Sequence, residues 1–154
     1  MNERSINQNP TPWKEKNKNF VKIASLNCMN LNNTYKDIVS DRTLLESTLL
    51  ALSETWLLEE TGLDIKGYAS HFNNIGPGKG IAIFYNKDYF SLSKEIKENN
   101  FQITKCVSEE LEVIAVYRSE KGNLSELKEH LSKLITPHYT TVICGDFNLY
   151  SVSQ

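Results

Sequence analysis

Apolar positions along the chain follow two periods, and the change of period marks the elements. Residues 21–26 are mostly apolar and end at Asn27, which reads as a strand beginning just after Phe20. Tyr35, Ile38, Val39, Leu44 and Leu45 fall at helical spacing across 35–47, with an interruption at Ser40-Asp41 where a fresh N-cap fits. Residues 49–53 form a second strand, ending at Glu54. Two short β segments, 68–72 and 81–85, flank NNIGPGKG, and 101–107 is a further strand. LEVIAV at 111–116, followed by Tyr117-Arg118, is the kind of continuous apolar run that a strand covered on both faces carries. Leu124, Leu127, Leu131, Leu134 and Ile135 make one helical stripe, with Asn123 and Glu126 as its start signal and Pro137 as its stop. Val142 to Cys144 is the last strand, running to Asp146, and the polar stretch 87–100 reads as a connector.

Strand, helix, strand therefore occurs twice, over 21–54 and over 111–146. Both crossovers are long enough to join parallel neighbours, which predicts an α/β layered fold. Ligands on such sheets gather beyond the carboxyl ends of the strands. Asn27, Glu54, Tyr117-Arg118, Asp146 and Asn148 all occupy those ends. Singly, each is an ordinary turn or cap residue. Their common position makes them a candidate site.

Composition narrows the classes without choosing one. The 154 residues suit one domain, and 17 Lys+Arg against 19 Asp+Glu give no global basic field that would announce nucleic acid. Residues 1–19 are polar, show no period and read as a disordered arm, with the ordered domain spanning 20–154. The arm lacks the apolar core of a signal peptide, and no apolar run is long enough to span a membrane. Cys28, Cys106 and Cys144 form no metal-binding spacing and read as free thiols of a reducing compartment, which predicts the cytosol or nucleus, no secretion and no membrane partner.

The candidate site has a definite chemistry. Residues two apart in an extended segment share a face, so Asp146 and Asn148 are expected to face the cleft together, with Gly145 allowing a close backbone approach. Glu54 adds a carboxylate and Asn27 an amide. Carboxylates and carboxamides favour a hard cation, Mg²⁺ or alternatively Mn²⁺, which polarises a phosphoryl oxygen. Arg118 is placed to clamp a phosphate and Tyr117 to donate to one. GPGKG at 76–80 lacks Walker spacing and reads as a turn between strands, with Lys79 as a nucleic-acid contact.

With these residues in place the chain resembles the endonuclease/exonuclease/phosphatase superfamily, the DNase I-like fold. The motifs are SLN at 25–27, SETWL at 53–57, GKGIAIF at 78–84, VYRS at 116–119 and CGDFN at 144–148, in that order. ETWL, YRS and GDFN look most like the endonuclease domains of non-LTR retrotransposons and related mobile-element proteins. The resemblance implies a layered α/β sandwich and Mg²⁺-dependent hydrolysis of phosphate esters, with DNA as substrate and RNA as an alternative. It assigns metal binding to Glu54 and Asn27, a scissile-phosphate contact to Tyr117, activation of water to Asp146, and stabilisation of phosphoryl charge to Asn148.

Two departures qualify the match. Met29 stands where some nuclease members carry an acid, and the family's closing Ser-Asp-His motif does not occur in these residues. The expectation is therefore the N-terminal part of the domain, one mixed sheet with flanking helices. A partner or a C-terminal segment would cover its open apolar face. Two further function classes stay open at this point: a catalytically inactive remnant or binding module, and a phosphatase acting on a phosphoinositide or nucleotide.

Overall fold

Each strand–helix–strand unit folds as a parallel pair, and the two pairs lie in different sheets. The computed structural model describes residues 20–58 and 62–149; the arm at 1–19 and the end of the chain at 150–154 lie outside the described residues. The elements run β1 (Ile23–Asn27), α1 (Leu31–Ser40), α2 (Arg42–Leu45), β2 (Leu49–Ser53), β3 (Ala69–Asn73), β4 (Ile81–Tyr85), β5 (Ser91–Lys97), β6 (Phe101–Val107), β7 (Leu111–Arg118), α3 (Leu124–Leu134) and β8 (Thr140–Asp146). One four-stranded sheet has the order β1-β2-β4-β3 and the other β5-β6-β7-β8. Only β1–β2 and β7–β8 are parallel within them; the other pairs are antiparallel.

The sequence reading of one mixed sheet with an open face is corrected by this arrangement. Period-two alternation gives each sheet two apolar faces. Leu49, Ala51, Ile81 and Ile83 of the first sheet meet Cys106, Val113, Ala115 and Tyr117 of the second, so the sheets cover each other. On the outer face of the first sheet, Leu50, Leu52, Ala82 and Phe84 pack against Leu31 and Ile38 of α1. On the outer face of the second, Ile103, Ile114 and Val116 pack against Leu127 and Leu134 of α3. The result is helix, sheet, sheet, helix. Of the LEVIAV run, Val113 to Val116 are buried, and in the last strand Ile143 is the large apolar residue left exposed.

Local signals explain most boundaries. Asp41 ends α1 and caps α2, its Oδ1 accepting from the Thr43 and Leu44 amides at 2.7 and 3.3 Å. The first helix starts at Leu31, four residues earlier than Tyr35, because Leu31 is itself a buried core residue. Asn123 caps α3 through Ser125 and Glu126. The stripe on α3 is narrower than predicted, with Leu124 and Ile135 exposed. The stretch read as a polar connector contains β5, an edge strand. Its exposed, Lys-bearing sequence is what a sheet edge tolerates, and it hides the alternation a half-buried strand would show.

Candidate active site

The parallel pairs deliver their carboxyl ends to one edge of the sandwich. Asn27, Ser53, Tyr117 and Asp146 share the parity of the inter-sheet residues Ile23, Leu49, Val113 and Val142 on their strands. β1 and β8, edge strands of opposite sheets, touch. At that seam the Asn27 amide nitrogen donates to Glu54 Oε1 at 2.8 Å and to Asp146 Oδ2 at 3.1 Å. One side chain thus ties a carboxylate from the first sheet to a carboxylate from the second, 119 positions away from it in sequence. Asn27 Oδ1 accepts from the Met29 amide, which fixes which end of the carboxamide faces the acids.

This orientation refines the metal assignment. The amide presents N–H groups, not its oxygen, to the carboxylates, so Asn27 acts here as an orienting donor and not as a ligand. At this seam, among the described residues, the carboxylates able to hold a cation are Glu54 and Asp146. Both are half-buried, and one nitrogen brings their oxygens close together. Paired hard oxygen donors fit Mg²⁺ or Mn²⁺. Cys28 lies beside them, but burial pushes its thiol up to about 11, so it stays protonated at neutral pH and offers no thiolate.

Glu54 is aimed by a strained turn. Glu54 and Trp56 both have positive φ, 54° and 59°, with the buried Thr55 between them. Such values are unfavourable for non-glycine residues and persist where surrounding contacts dictate them. The GPGKG turn supplies those contacts: the Thr55 and Trp56 amides donate to the carbonyls of Gly80 and Lys79 at 3.5 and 2.9 Å. A Cβ on Gly80 would sit 2.4 Å from Thr55 Oγ1, so only glycine lets the two segments approach. The same turn receives the Tyr117 hydroxyl, which donates to the Gly78 carbonyl at 2.8 Å. The turn therefore braces the site from both sheets, a role its sequence does not announce.

The GDFN end is held from behind. Gly145 has φ 128°, and a Cβ there would lie 1.9 Å from the Val116 carbonyl. Beyond it the expected alternation fails. The strand stops at Asp146, Asn148 turns into the left-handed region (φ 44°), and its side-chain nitrogen donates to the Arg118 carbonyl at 2.7 Å. Its backbone amide donates to Asp146 Oδ1 at 3.0 Å. Asn148 thus orients Asp146 and does not line the cleft beside it.

Arg118 is also relocated. It is buried, and its guanidinium donates to the carbonyls of Gly122, Phe147 and Asn148 at 2.8, 2.7 and 2.8 Å. A fork engaged with three carbonyls is a clamp on the GDFN loop, not on a phosphate. The Lys79 amine is held by the carbonyl and side chain of Asn99 at 2.8 and 2.7 Å. No local sequence signal marks Asn99 as that partner. Trp56 is tied to the site by its indole nitrogen, 3.4 Å from Glu54 Oε2.

Four layers, helix–sheet–sheet–helix, with polar strand ends converging on one edge, define the DNase I-like layered α/β sandwich. No family model matches the chain, and no curated protein matches it in sequence. Solved structures share its fold. An AP endonuclease from Archaeoglobus fulgidus superposes with a TM-score of 0.65 at 19% identity, over 84% of this chain and 58% of that one. The human Nocturnin catalytic domain, with bound sulfate, gives 0.58 at 17% identity, over 84% of this chain and 64% of that one. The 3′ phosphatase NExo from Neisseria, bound to product DNA hairpin, gives 0.59 at 21% identity, over 84% and 58%. The chain spans less than two thirds of the length of each of these three.

Proposed function

We propose that this protein is a Mg²⁺-dependent phosphodiesterase that cleaves DNA, of mobile-element endonuclease ancestry, working in the cytosol or nucleus. RNA is the alternative substrate and Mn²⁺ the alternative ion. One observation carries the proposal: a single amide, Asn27, holds carboxylates from two sheets, Glu54 and Asp146, against each other at the strand ends. Two acids kept close at an accessible edge form a favourable place for a hard cation. The solved structures of the same fold include a nuclease and a phosphatase, which supports the choice of phosphate ester.

The bound cation would supply Lewis-acid polarisation of a phosphoryl oxygen. Glu54 and Asp146 would hold it, with Asn27 keeping both carboxylates in position. Asp146 also accepts a proton from the attacking water. Oxygen then bonds to phosphorus in line with the departing alkoxide, whose bond breaks and which takes a proton from solvent. Tyr117 and the GPGKG turn set the wall of the cleft, and Asn148 and Arg118 hold the loop that bears Asp146.

The test is nicking of supercoiled and abasic DNA by the purified 154-residue chain in Mg²⁺. Cleavage that falls to background in Glu54→Ala and in Asp146→Ala is the expected result. Cleavage undiminished in both variants assigns the activity to a contaminant. A silent wild-type chain beside an active longer polypeptide assigns it to the longer domain.

A further inference from the structure

Asn27, Glu54 and Asp146 are each followed, within three residues, by an exposed apolar side chain. Asn27 is followed by Met29 (66% exposed), Glu54 by Trp56 (39%) and Asp146 by Leu149 (65%). Trp56 stands apart among them. Its indole nitrogen reaches Glu54 Oε2, and its backbone is held at φ 59° by the Lys79 carbonyl. A bulky residue kept in a left-handed conformation with its ring half out in solvent is not explained by core packing.

The chemistry around it selects a ligand. Of the two cations near the site among the described residues, Arg118 is committed to three carbonyls and Lys79 is tethered by Asn99. A polyphosphorylated headgroup would therefore bring charge against apolar side chains, at a desolvation cost. A nucleotide has the opposite layout, with one phosphodiester and a flat, weakly polar ring one sugar away. Trp56 lies one side chain away from the carboxylate that would serve that phosphodiester. Aromatic–base stacking is sequence-tolerant because every base has a π-face. In continuous duplex that face is already stacked, so only an unpaired, terminal or extruded base can use the indole.

We infer that Trp56 is a stacking platform for an unpaired nucleobase next to the phosphodiester that a cation held by Glu54 and Asp146 would bind. The site then takes single-stranded or strand-end nucleic acid in preference to continuous duplex or a phosphorylated headgroup. This rests on the phosphodiesterase reading and adds the state of the substrate to it.

The experiment uses the full chain carrying Trp13→Phe, so that Trp56 is the one remaining indole. Its emission is titrated in Mg²⁺ with phosphorothioate-linked single strands, which resist turnover. The probes are oligothymidylate, oligouridylate, a base-free deoxyribose-phosphate strand of equal length, and the matching duplex. Base-bearing strands should quench the emission and bind about tenfold tighter than the base-free strand or the duplex. Trp56→Ala should erase that difference, read by anisotropy of a labelled strand, and Trp56→Phe should keep most of it. The two base-bearing probes separate DNA from RNA. Equal affinity for base-bearing and base-free strands, a preference that survives Trp56→Ala, or no binding by any strand each overturns the inference. Mn²⁺ binding followed by electron paramagnetic resonance separates the two levels. Mn²⁺ bound by wild type and lost in Glu54→Ala, without a base preference, sinks the platform alone. Absence of bound Mn²⁺ sinks the phosphodiesterase reading itself.

Discussion

Asn27 holds two carboxylates with one nitrogen, so its replacement is the sharpest probe of the site. Asn27→Asp removes both donors and sets a third negative charge beside Glu54 and Asp146. Groups that orient ligands are worth roughly 10- to 100-fold in metal affinity, and a loss of that size is expected in a Mn²⁺ titration. Unchanged affinity would remove Asn27 from the site. Gly145 tests the backbone. Its φ of 128° and the 1.9 Å approach to the Val116 carbonyl leave no room for a Cβ. Gly145→Ala should therefore cost about 3 kcal/mol or more in a urea unfolding midpoint, since the close approach is backbone to backbone. A smaller cost would mean that β7 and β8 can separate locally.

Between elements, two buried cations act as fasteners. Arg118 joins the end of β7 to the GDFN loop through the Phe147 and Asn148 carbonyls. Arg118→Leu should leave those carbonyls unpaired, at about 1–3 kcal/mol for each lost partner, and should weaken Mn²⁺ binding beyond that folding loss, because Asp146 loses its backing. The other fastener lies at the opposite end of β7. Lys105 Nζ meets Glu112 Oε2 at 2.6 Å and also donates to the Leu134 carbonyl and Thr136 Oγ1. It thereby pins the end of α3 to β6 and β7. Burial pushes the Glu112 carboxyl up, but hydrogen bonds from Lys105, Thr136 and Thr141 outweigh it and hold the group down to about 2, against an ordinary 4.5. A depressed carboxylate contributes stability that is present above pH 4.5 and lost as pH falls through about 2. The linkage is of order 3 kcal/mol. Glu112→Gln should thus be destabilised at neutral pH, and its deficit relative to wild type should shrink as acid unfolding is followed towards pH 2.

At the scale of the molecule, the candidate site spans the seam between two sheets. Glu54 follows β2 of one sheet and Asp146 ends β8 of the other. A cation held by both is a cross-link present in the native state and absent from the unfolded chain. Mg²⁺ at about 100 times its dissociation constant should then raise stability by about 2.7 kcal/mol, seen as an upward shift of the melting midpoint. The shift should disappear in Glu54→Ala. A shift that persists there would place the ion elsewhere.

Much of this was readable along the chain, for a reason tied to distance. Parallel pairing of β1 with β2 and of β7 with β8 follows from local period, caps and crossover length. The bounds of Leu49–Ser53, Ile81–Tyr85 and Phe101–Val107 coincide with the hydrophobic runs. The strand β5 escapes a reading by alternation because an edge strand carries polar residues. The second sheet escapes with it, since alternation names a buried face but not the face that covers it. Asn27, Glu54 and Asp146 could be nominated as strand-end residues. What no local pattern contains is that residue 27 touches residue 146, that Arg118 and Lys79 spend their charge on the protein's own oxygens, or that Asn148 turns back behind Asp146. Those facts depend on which groups meet once two sheets close on each other. Local pattern suffices for every element but the edge strand β5, for the pairing within each strand–helix–strand unit and for the chemistry at the strand ends. Which of those ends form one site is settled by packing, because short-range forces act only on groups already brought together.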